Sequence, residues 1–195
     1  MKLIALVIIF LLKGMLVSGQ SYSDSMKTYQ ENYVAQHQVV QGKDKGYMQF
    51  FPVDSSYRVK ARVTYVDQSP WEAFATSSGA RKNYRVYAVL NFRLQQDSFS
   101  LHLYQSQDLM GQAQYRDYLF LPFTDSTNGN ESYASGRYLE LREGEIIDNI
   151  AWIDFNKAYN PYCAYVKYYS CPIPPAANYL KCNIRAGEKN YAKPQ

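Results

Sequence analysis

The chain has 195 residues, of which 47% are hydrophobic and 19% are charged, and its formal net charge is +4. A domain of this size buries about 70% of its unfolded surface, so it needs no disulfide or metal to hold a core. The small charge excludes a strongly basic nucleic-acid binder, and two histidines with three cysteines exclude a His-rich metal protein and a disulfide-dense mini-domain. Twenty tyrosines favour pleated, half-buried surfaces and therefore β structure.

Residues 1–19 have the pattern of a secretory signal peptide. A positive start is followed by an unbroken apolar run from Leu3 to Leu12, which is shorter than the span of about 20 residues that crosses a bilayer. Val17-Ser18-Gly19 then supplies the small residues of a cleavage site. We expect an exported protein, periplasmic or secreted, that begins at Gln20 and has no stable membrane insertion after cleavage. The alternative is an uncut membrane anchor.

The segment after the signal predicts one amphipathic helix at residues 25–39. Asp24 is a candidate N-cap, and apolar side chains then recur at spacings of three and four. These side chains are Met26, Tyr29, Tyr33, the apolar edge of His37, and Val40. A polar run from Gln41 to Gly46 ends the helix. Residues 20–46 are therefore predicted as helix and linker, and residues 47–195 as a single β-rich domain.

From Tyr57 onward the hydrophobic period changes to two. Between Tyr57 and Tyr65 apolar residues alternate with polar ones, which predicts a half-buried strand with a basic outer face. Further strands are predicted at residues 84–94, 99–104, 118–121, 136–142, 146–155 and 179–184. The turn Glu143-Gly144-Glu145 predicts that the strands on either side of it form a hairpin. Together these features predict a mainly β domain, an antiparallel β-sandwich or a barrel-like fold.

The segment from Ala158 to Ala177 is predicted to be a proline-rich C-terminal loop. Its four prolines exclude a central strand or helix, so the loop is either functional or lies over the core. Its tyrosines can pack their rings while their hydroxyl groups stay in water. They are Tyr159, Tyr162, Tyr165, Tyr168 and Tyr169.

Two cysteines in this loop, Cys163 and Cys171, are predicted to form a disulfide after export. They flank a short stretch of chain, and an oxidising compartment permits the bond. One alternative is a pair of buried free thiols. Another is a metal site that includes Cys182, although Cys182 lies on an apolar strand face.

Motifs of well-understood chemistry are missing from the sequence. It has no GxGxxG, phosphate loop, HExxH, CxxC pair or GxSxG elbow. The run from Thr124 to Ser135 has the outline of a calcium loop around Gly129, but it places Thr, Ser and Ser where carboxylates are needed. We therefore expect no cofactor, no metal and no nucleic-acid partner.

Polar residues concentrate in two stretches, residues 120–138 and the run WIDFNKAYNP. Asp154 ends an apolar strand, where a buried carboxylate needs a partner, and the forked side chain of Arg137 suits that role. We predict that Arg137 and Asp154 lie together beside Glu131. The candidate ligand-binding residues are Asp125, Glu131, Tyr133, Arg137, Asp154, Asn156 and Asn160. The alternatives are a plain turn, a structural ion pair and, for Glu188, surface charge.

Three segments, residues 50–61, 119–141 and 153–189, resemble the prokaryotic domain of unknown function numbered 1684. The last is the most specific, with DFNKAYNP, the two cysteines and a closing Ala-Gly-Glu-Lys. The resemblance implies a bacterial or archaeal source and brings no established activity. Positions that match the pattern are Asp125, Gly129, Glu131, Tyr133, Gly136, Arg137, Tyr138, Asp154, Asn156, Tyr159, Asn160, Pro161 and Glu188.

Two functions of different classes fit these residues. The first is an exported, non-catalytic domain that binds a small or extended ligand, a sugar or a peptide, by stacking on tyrosines and hydrogen bonding to Asp, Asn and Arg. The alternative is a hydrolase in which Glu131 and Asp154 form a carboxylate pair that Arg137 orients. A concave, water-filled pocket holding both carboxylates would favour the enzyme. A closed pair of Arg137 and Asp154 would favour binding or structure.

Overall fold

Eight strands form one sheet that curls into a half-barrel in the computed structural model, which describes residues 21–194. Helix α1 occupies residues 21–36, and a one-turn helix, α2, occupies Gln107–Met110. The strands are β1 (Arg58–Tyr65), β2 (Glu72–Ala75), β3 (Arg81–Leu94), β4 (Asp97–Ser106), β5 (Tyr118–Asp125), β6 (Arg137–Arg142), β7 (Ile150–Asp154) and β8 (Tyr179–Leu180). The predicted mainly β, barrel-like fold with one N-terminal helix is confirmed. The predicted signal peptide, residues 1–19, lies outside the described residues.

Hydrogen bonding places the strands in the order β6-β5-β4-β3-β1-β7, with β2 beside β3 and β8 parallel to β5. The predicted hairpin of β6 with β7 is wrong, because these strands occupy the two ends of that order. Glu143–Glu145 forms one turn of 3-10 helix after β6. A second turn at Asp148 and Asn149, which both tolerate the positive φ they adopt, sends the chain into β7 beside β1.

Alternating side chains give the sheet two hydrophobic faces. One face forms the main core and includes Leu103, Leu119 and Leu139. The residues next to these in sequence belong to an aromatic cluster on the opposite face. That cluster consists of Phe74, Tyr84, Tyr104, Phe120 and Tyr138. The second face therefore needs its own cover.

The proline-rich segment, residues 158–177, supplies that cover. Within it the chain forms only short 3-10 turns, as the prolines predict. The backbone N–H of Ile173 donates to the carbonyl of Ala75 at 2.9 Å, and the hydroxyl of Tyr138 donates to the carbonyl of Pro172. The segment therefore lies across the aromatic cluster and is held at the β2 edge and by β6.

Helix α1 packs beside the same segment. It covers residues 21–36, so it begins four residues before the predicted helix and ends three residues earlier. The ring of Tyr33 lies 6.1 Å from that of Tyr159, and the ring of His37 lies 4.8 Å from that of Tyr165. Within the described residues, no helix has the length and apolar character needed to span a membrane. The helix and the proline-rich segment together form the walls of the site described next.

Candidate functional site

Arg137, the first residue of β6, is fully buried and is used by the fold. Its guanidinium group donates to the carboxylate of Asp125 at 2.9 Å. It also donates to the main-chain carbonyls of Ile184, Ala186 and Glu188, at 2.7, 2.5 and 3.1 Å. Burial lowers its pKa, and the charge of Asp125 opposes that shift. The side chain therefore ties the C-terminal segment to the sheet and is not open to a ligand.

The predicted pair of Arg137 with Asp154 is wrong. Asp125 is the ionic partner of Arg137, whereas the carboxylate of Asp154 accepts hydrogen bonds from the hydroxyl of Tyr22 at 2.9 and 3.0 Å. Asp154 also lies 4.0 Å from the Nε atom of Arg58. The physical reason is the strand order, because β6 pairs with β5 and β7 pairs with β1.

The two predicted asparagines are buried braces. Asn156 accepts from the backbone N–H of Asp54 at 3.0 Å and donates to the carbonyl of the same residue at 2.8 Å. The backbone N–H of Asn160 donates to the carboxylate of Glu188 at 2.9 Å, and its side-chain amide donates to the carbonyl of Lys189 at 2.7 Å. Both side chains are 0% exposed, so neither is presented to a ligand.

Glu131 and Tyr133 lie apart from the buried cluster. Glu131 forms a two-bond pair with Arg185, at 2.9 and 3.0 Å, and this pairing lowers the pKa of its carboxyl group. The hydroxyl of Tyr133 donates to the sulfur of Cys163 at 3.6 Å. Since Glu131 and Asp154 are bound to different partners, the structure gives no support to a carboxylate pair.

Glu188, which the sequence leaves open, lies at the centre of a buried polar network. Its carboxylate accepts from the hydroxyl of Tyr165 at 2.6 and 2.8 Å and from the backbone N–H of Asn160. Burial raises the pKa of Glu188 to about 7. The preceding residue, Gly187, allows the backbone to bring Glu188 into the interior. Its φ is +74°, and a Cβ atom there would lie 2.5 Å from the carbonyl oxygen of Ala158, so only glycine fits. The Ala-Gly-Glu pattern therefore delivers a carboxyl group to the interior.

A concave site of about 510 Å³ lies between α1 and the proline-rich segment. We call it the tyrosine cleft. Six tyrosines line it: Tyr29, Tyr33, Tyr138, Tyr159, Tyr162 and Tyr169. Polar side chains in its walls are Gln36, His37, Gln38, Lys82, Glu140 and Ser170. This volume is in the range of small-molecule sites, and aromatic walls with a few polar groups are typical of such sites.

His37 lines this cleft and carries a buried hydrogen-bonding atom that has no partner among the described residues. The residue is 5% exposed, and its Nδ1 atom accepts from the backbone N–H of Val40 at 2.9 Å. This bond assigns the hydrogen of the neutral ring to Nε2. Among the described residues, no group hydrogen-bonds to that Nε2 atom. Burial and the charge of Lys45 lower the pKa of His37, so the ring stays neutral at pH 7.

Glu140 places a carboxylate at the same wall. It accepts hydrogen bonds from the hydroxyl groups of Tyr118, at 3.0 Å, and of Tyr159. Burial is the main cause that raises the pKa of both tyrosines, and the charge of Glu140 adds to it. These hydroxyls therefore remain protonated donors, and both donate to Oε1 of an exposed carboxylate.

A second, larger depression of about 810 Å³ lies where β1, β3 and β4 run side by side. Its charged lining groups are Lys60, Arg62 and Arg93, and these side chains are exposed. It therefore has cationic character, but it lacks the buried, unpartnered donor that distinguishes the tyrosine cleft. For this reason the cleft is the better candidate site.

The three cysteines are free thiols in the structure. Cys163 and Cys171 are in contact, since the backbone N–H of Cys163 donates to the sulfur of Cys171 at 3.2 Å. A disulfide between them stays a prediction. Burial raises the pKa of Cys182 to about 11. Across residues 21–194, no group of three or more His, Cys, Asp or Glu side chains is arranged to hold a metal ion.

Sequence patterns carried part of the signal for the cleft. Tyr29, Tyr33 and His37 recur every four residues and so share one helix face. The tyrosines of the proline-rich segment have an apolar ring and a polar hydroxyl group. From the sequence alone, both sets of residues predict ordinary packing surfaces and not a binding site. Only the tertiary structure brings the helix face and the loop together and leaves a space between them.

Comparison with known proteins gives a family and a fold relative. The family model described as protein of unknown function (DUF1684) matches residues 46–189. No curated protein matches the chain. Among solved structures, the chain is similar to the uncharacterized protein from gene locus rrnAC0354 of Haloarcula marismortui, determined in solution by NMR. The two share 28% identity with a TM-score of 0.65, over 88% of this chain and 96% of that one.

Proposed function

The chain belongs to the DUF1684 family, and we propose that it is a binding domain whose tyrosine cleft takes a small polar ligand, a sugar in the first place and a short peptide in the second. The observation that carries this proposal is the Nε2–H group of His37. His37 lines an aromatic cleft, and no protein group among the described residues accepts from its buried Nε2–H. A buried donor left unpaired costs about 1–3 kcal/mol, and a ligand oxygen would remove that cost.

The remaining lining groups favour a ligand rich in hydroxyl groups. Tyrosine rings offer flat faces on which a sugar ring can pack. The carboxylate of Glu140 and the amide of Gln36 offer acceptors and donors at the rim. A neutral histidine donor, an oriented carboxylate and aromatic walls together match the alternating polar and apolar surfaces of a saccharide.

Binding is favoured over hydrolysis because the candidate carboxylates are already engaged. Glu131 is paired with Arg185, and Asp154 is held by Tyr22 and Asn156. Neither carboxylate lines the tyrosine cleft. Glu140 does line it, but a retaining or inverting glycosidase typically needs a second carboxyl group across the substrate, and the described residues that line the cleft include no second one.

The proposal is tested with defined probes. Saturation-transfer NMR would compare neutral trisaccharides (cellotriose, maltotriose and chitotriose) with blocked tripeptides, followed by titration of the strongest binder. His37→Asn is the informative variant, because an asparagine oxygen can still accept from the N–H of Val40 but the Nε2–H donor is gone. We expect binding to weaken about threefold to tenfold, the value of one lost hydrogen bond.

Two neighbouring tyrosines provide a matched control. Tyr169 lines the cleft, whereas Tyr168 is 96% exposed and does not. Tyr169→Ala should weaken binding of the trisaccharide, and Tyr168→Ala should leave it unchanged. Equal effects of the two substitutions, or a preference for tripeptides over every saccharide, would contradict a sugar site. Release of shorter saccharides from the probe would contradict a purely binding role.

We also propose that the protein acts outside the cytoplasm. The support for this is the apolar run followed by Val17-Ser18-Gly19, in a segment that lies before the described residues. An extracytoplasmic location agrees with a domain that captures a ligand.

A further inference from the structure

Two cysteines meet at the edge of the tyrosine cleft. Cys163 lies in a 3-10 turn, and its backbone N–H donates to the sulfur of Cys171 at 3.2 Å. Cys171 is fixed on the other side by Ser77, whose backbone N–H donates to its carbonyl and whose hydroxyl accepts from its N–H. The fold therefore holds two thiols side by side, with the chain between them exposed at Tyr168.

The two sulfur atoms have different surroundings. Cys163 is a half-buried residue whose sulfur accepts a hydrogen bond from the hydroxyl of Tyr133 at 3.6 Å, whereas Cys171 is buried and forms part of the cleft wall. A hydrogen bond from Cys171, together with those from Tyr133 and Ser77, lowers the pKa of the Cys163 thiol. The same contact with Cys163, together with burial, raises the pKa of Cys171. Cys163, the more exposed residue and the acceptor of the Tyr133 hydroxyl, is therefore assigned as the attacking sulfur, and Cys171 as the resolving one.

We propose that Cys163 and Cys171 form a redox-active dithiol that reacts by exchange with disulfides of the glutathione class. The thiolate of Cys163 attacks one sulfur of the small disulfide, forms a mixed disulfide and releases one thiolate. Cys171 then loses its proton and attacks the Cys163 sulfur, which closes the protein disulfide and releases the second thiol. The protein dithiol is oxidised by two electrons, and the small disulfide is reduced to two thiols.

This arrangement differs from both alternatives that a pair of cysteines allows. A purely structural bridge resists reduction by a thiol pool, and inert buried thiols do not react at all. Here one sulfur belongs to a half-buried residue and accepts from the hydroxyl of Tyr133, and the second cysteine lies in contact with it, in a position to resolve the mixed disulfide. Cys182 serves as an internal reference for thiol reactivity. It is a half-buried thiol with a raised pKa, and no cysteine contributes to that shift. The reaction does not depend on ligand binding in the cleft.

The test is equilibration of the full mature chain with glutathione buffers of graded oxidised fraction, followed by alkylation and mass spectrometry. We expect the number of alkylated thiols to fall from three to one as the oxidised fraction rises and to recover when it is lowered. Cys171→Ser should accumulate one glutathione on Cys163, and Cys163→Ser should add glutathione at Cys171 at least tenfold more slowly. Cys182→Ser should behave as wild type.

Tyr133→Phe tests the hydrogen bond to Cys163, which the closeness of the two cysteines alone does not test. Loss of the hydroxyl donor should slow alkylation of Cys163 severalfold at pH 7 and leave Cys182 unaffected. Three alkylated thiols at every buffer ratio would overturn the proposal, and so would a bridge that no reduced buffer opens. Equal rates of glutathione addition to Cys163 in Cys171→Ser and to Cys171 in Cys163→Ser would contradict the assigned roles. These outcomes are read without any saccharide, so they are separate from the fate of the proposed sugar site.

Discussion

Among single residues, Arg137 shows that polar side chains of this chain stabilise the fold through buried hydrogen bonds. It is the largest fully buried side chain of the described residues, and four groups accept from it. Pairing of a buried carboxylate with an arginine could be inferred from the sequence, but the partner is Asp125 and not Asp154. The error has a physical cause, since both carboxylates follow apolar strands and only the strand order decides which one reaches the guanidinium group.

We predict that Arg137→Ala is strongly destabilising. It leaves Asp125 buried without its cation and releases three carbonyls, so the cost is about 3–5 kcal/mol, or roughly 6–20 °C in melting temperature. Arg185→Ala is the control, because it removes an exposed pair with Glu131 and should change the thermal melt little. Similar melts for the two variants would contradict the structural role of Arg137.

Glu188 gives a pH dependence with a definite sign. Burial raises its pKa from 4.5 to about 7, so between these values the folded protein keeps a proton that the unfolded chain releases. The resulting stabilisation is complete below pH 4.5 and is lost as the pH rises through about 7. We predict that the melting temperature of wild type falls relative to that of Glu188→Gln over this window, because glutamine does not titrate. A constant difference between the two proteins would contradict a protonated Glu188.

At the level of elements, the positions of most strands can be predicted from the sequence, but the pairing of one strand with another cannot. The alternating pattern is local, so β1, β3 and β4 follow it closely. The strand β2 was missed, because only Phe74 of its four residues is buried and the pattern has no period to detect. The hairpin of β6 and β7 was wrong, because the turn at Asp148 and Asn149 redirects the chain after the turn at Glu143–Glu145.

The candidate site has the same division between local and non-local information. The tyrosines and the proline-rich loop can be recognised from composition, and the sequence also shows which polar residues are grouped along the chain. Their roles as buried braces depend on contacts across long stretches of sequence, such as Asn156 with Asp54 and Arg137 with Ile184. The cleft depends on the docking of α1, which the helix pattern alone does not specify.

We predict that Tyr22→Phe loosens α1 without disturbing the sheet. The hydroxyl of Tyr22 donates to Asp154 and accepts from Asn156, so it is the polar link between the helix and the end of β7. Its loss should cost about 1–2 kcal/mol and increase amide hydrogen exchange at residues 25–36. Exchange in β3 and β4 should remain unchanged, and Tyr179→Phe, at an exposed position, should alter neither region. Uniform acceleration across the sheet would show that the hydroxyl supports the whole fold and not the helix.

For the whole molecule, the conserved architecture and the function are separate questions. The chain is similar in fold to the Haloarcula marismortui protein over 88% of its length, at 28% identity. The tyrosine cleft is built by α1 and the proline-rich segment on the outer face of the half-barrel. The proposed ligand site therefore lies in this cleft and not in the main core.

We predict that the exported protein begins at Gln20. The apolar run is too short to remain as a membrane span, and Val17-Ser18-Gly19 provides the cleavage site. Intact-mass measurement of the exported fraction checks this prediction. The reference is the mass of the uncleaved 195-residue chain. A protein in that fraction that starts at Met1 would refute cleavage.

The central claim, that His37 offers an Nε2–H donor to a ligand in the tyrosine cleft, can be measured directly. The chain has two histidines, so nitrogen-15 NMR of histidine-labelled protein reports two rings, those of His37 and His102. We predict that His37 is neutral with its hydrogen on Nε2 at pH 7, and that its Nε2 signal shifts when the best-binding trisaccharide is added while His102 stays unchanged. A His37 ring that carries its hydrogen on Nδ1, or an Nε2 signal that does not respond to a bound saccharide, would contradict the account.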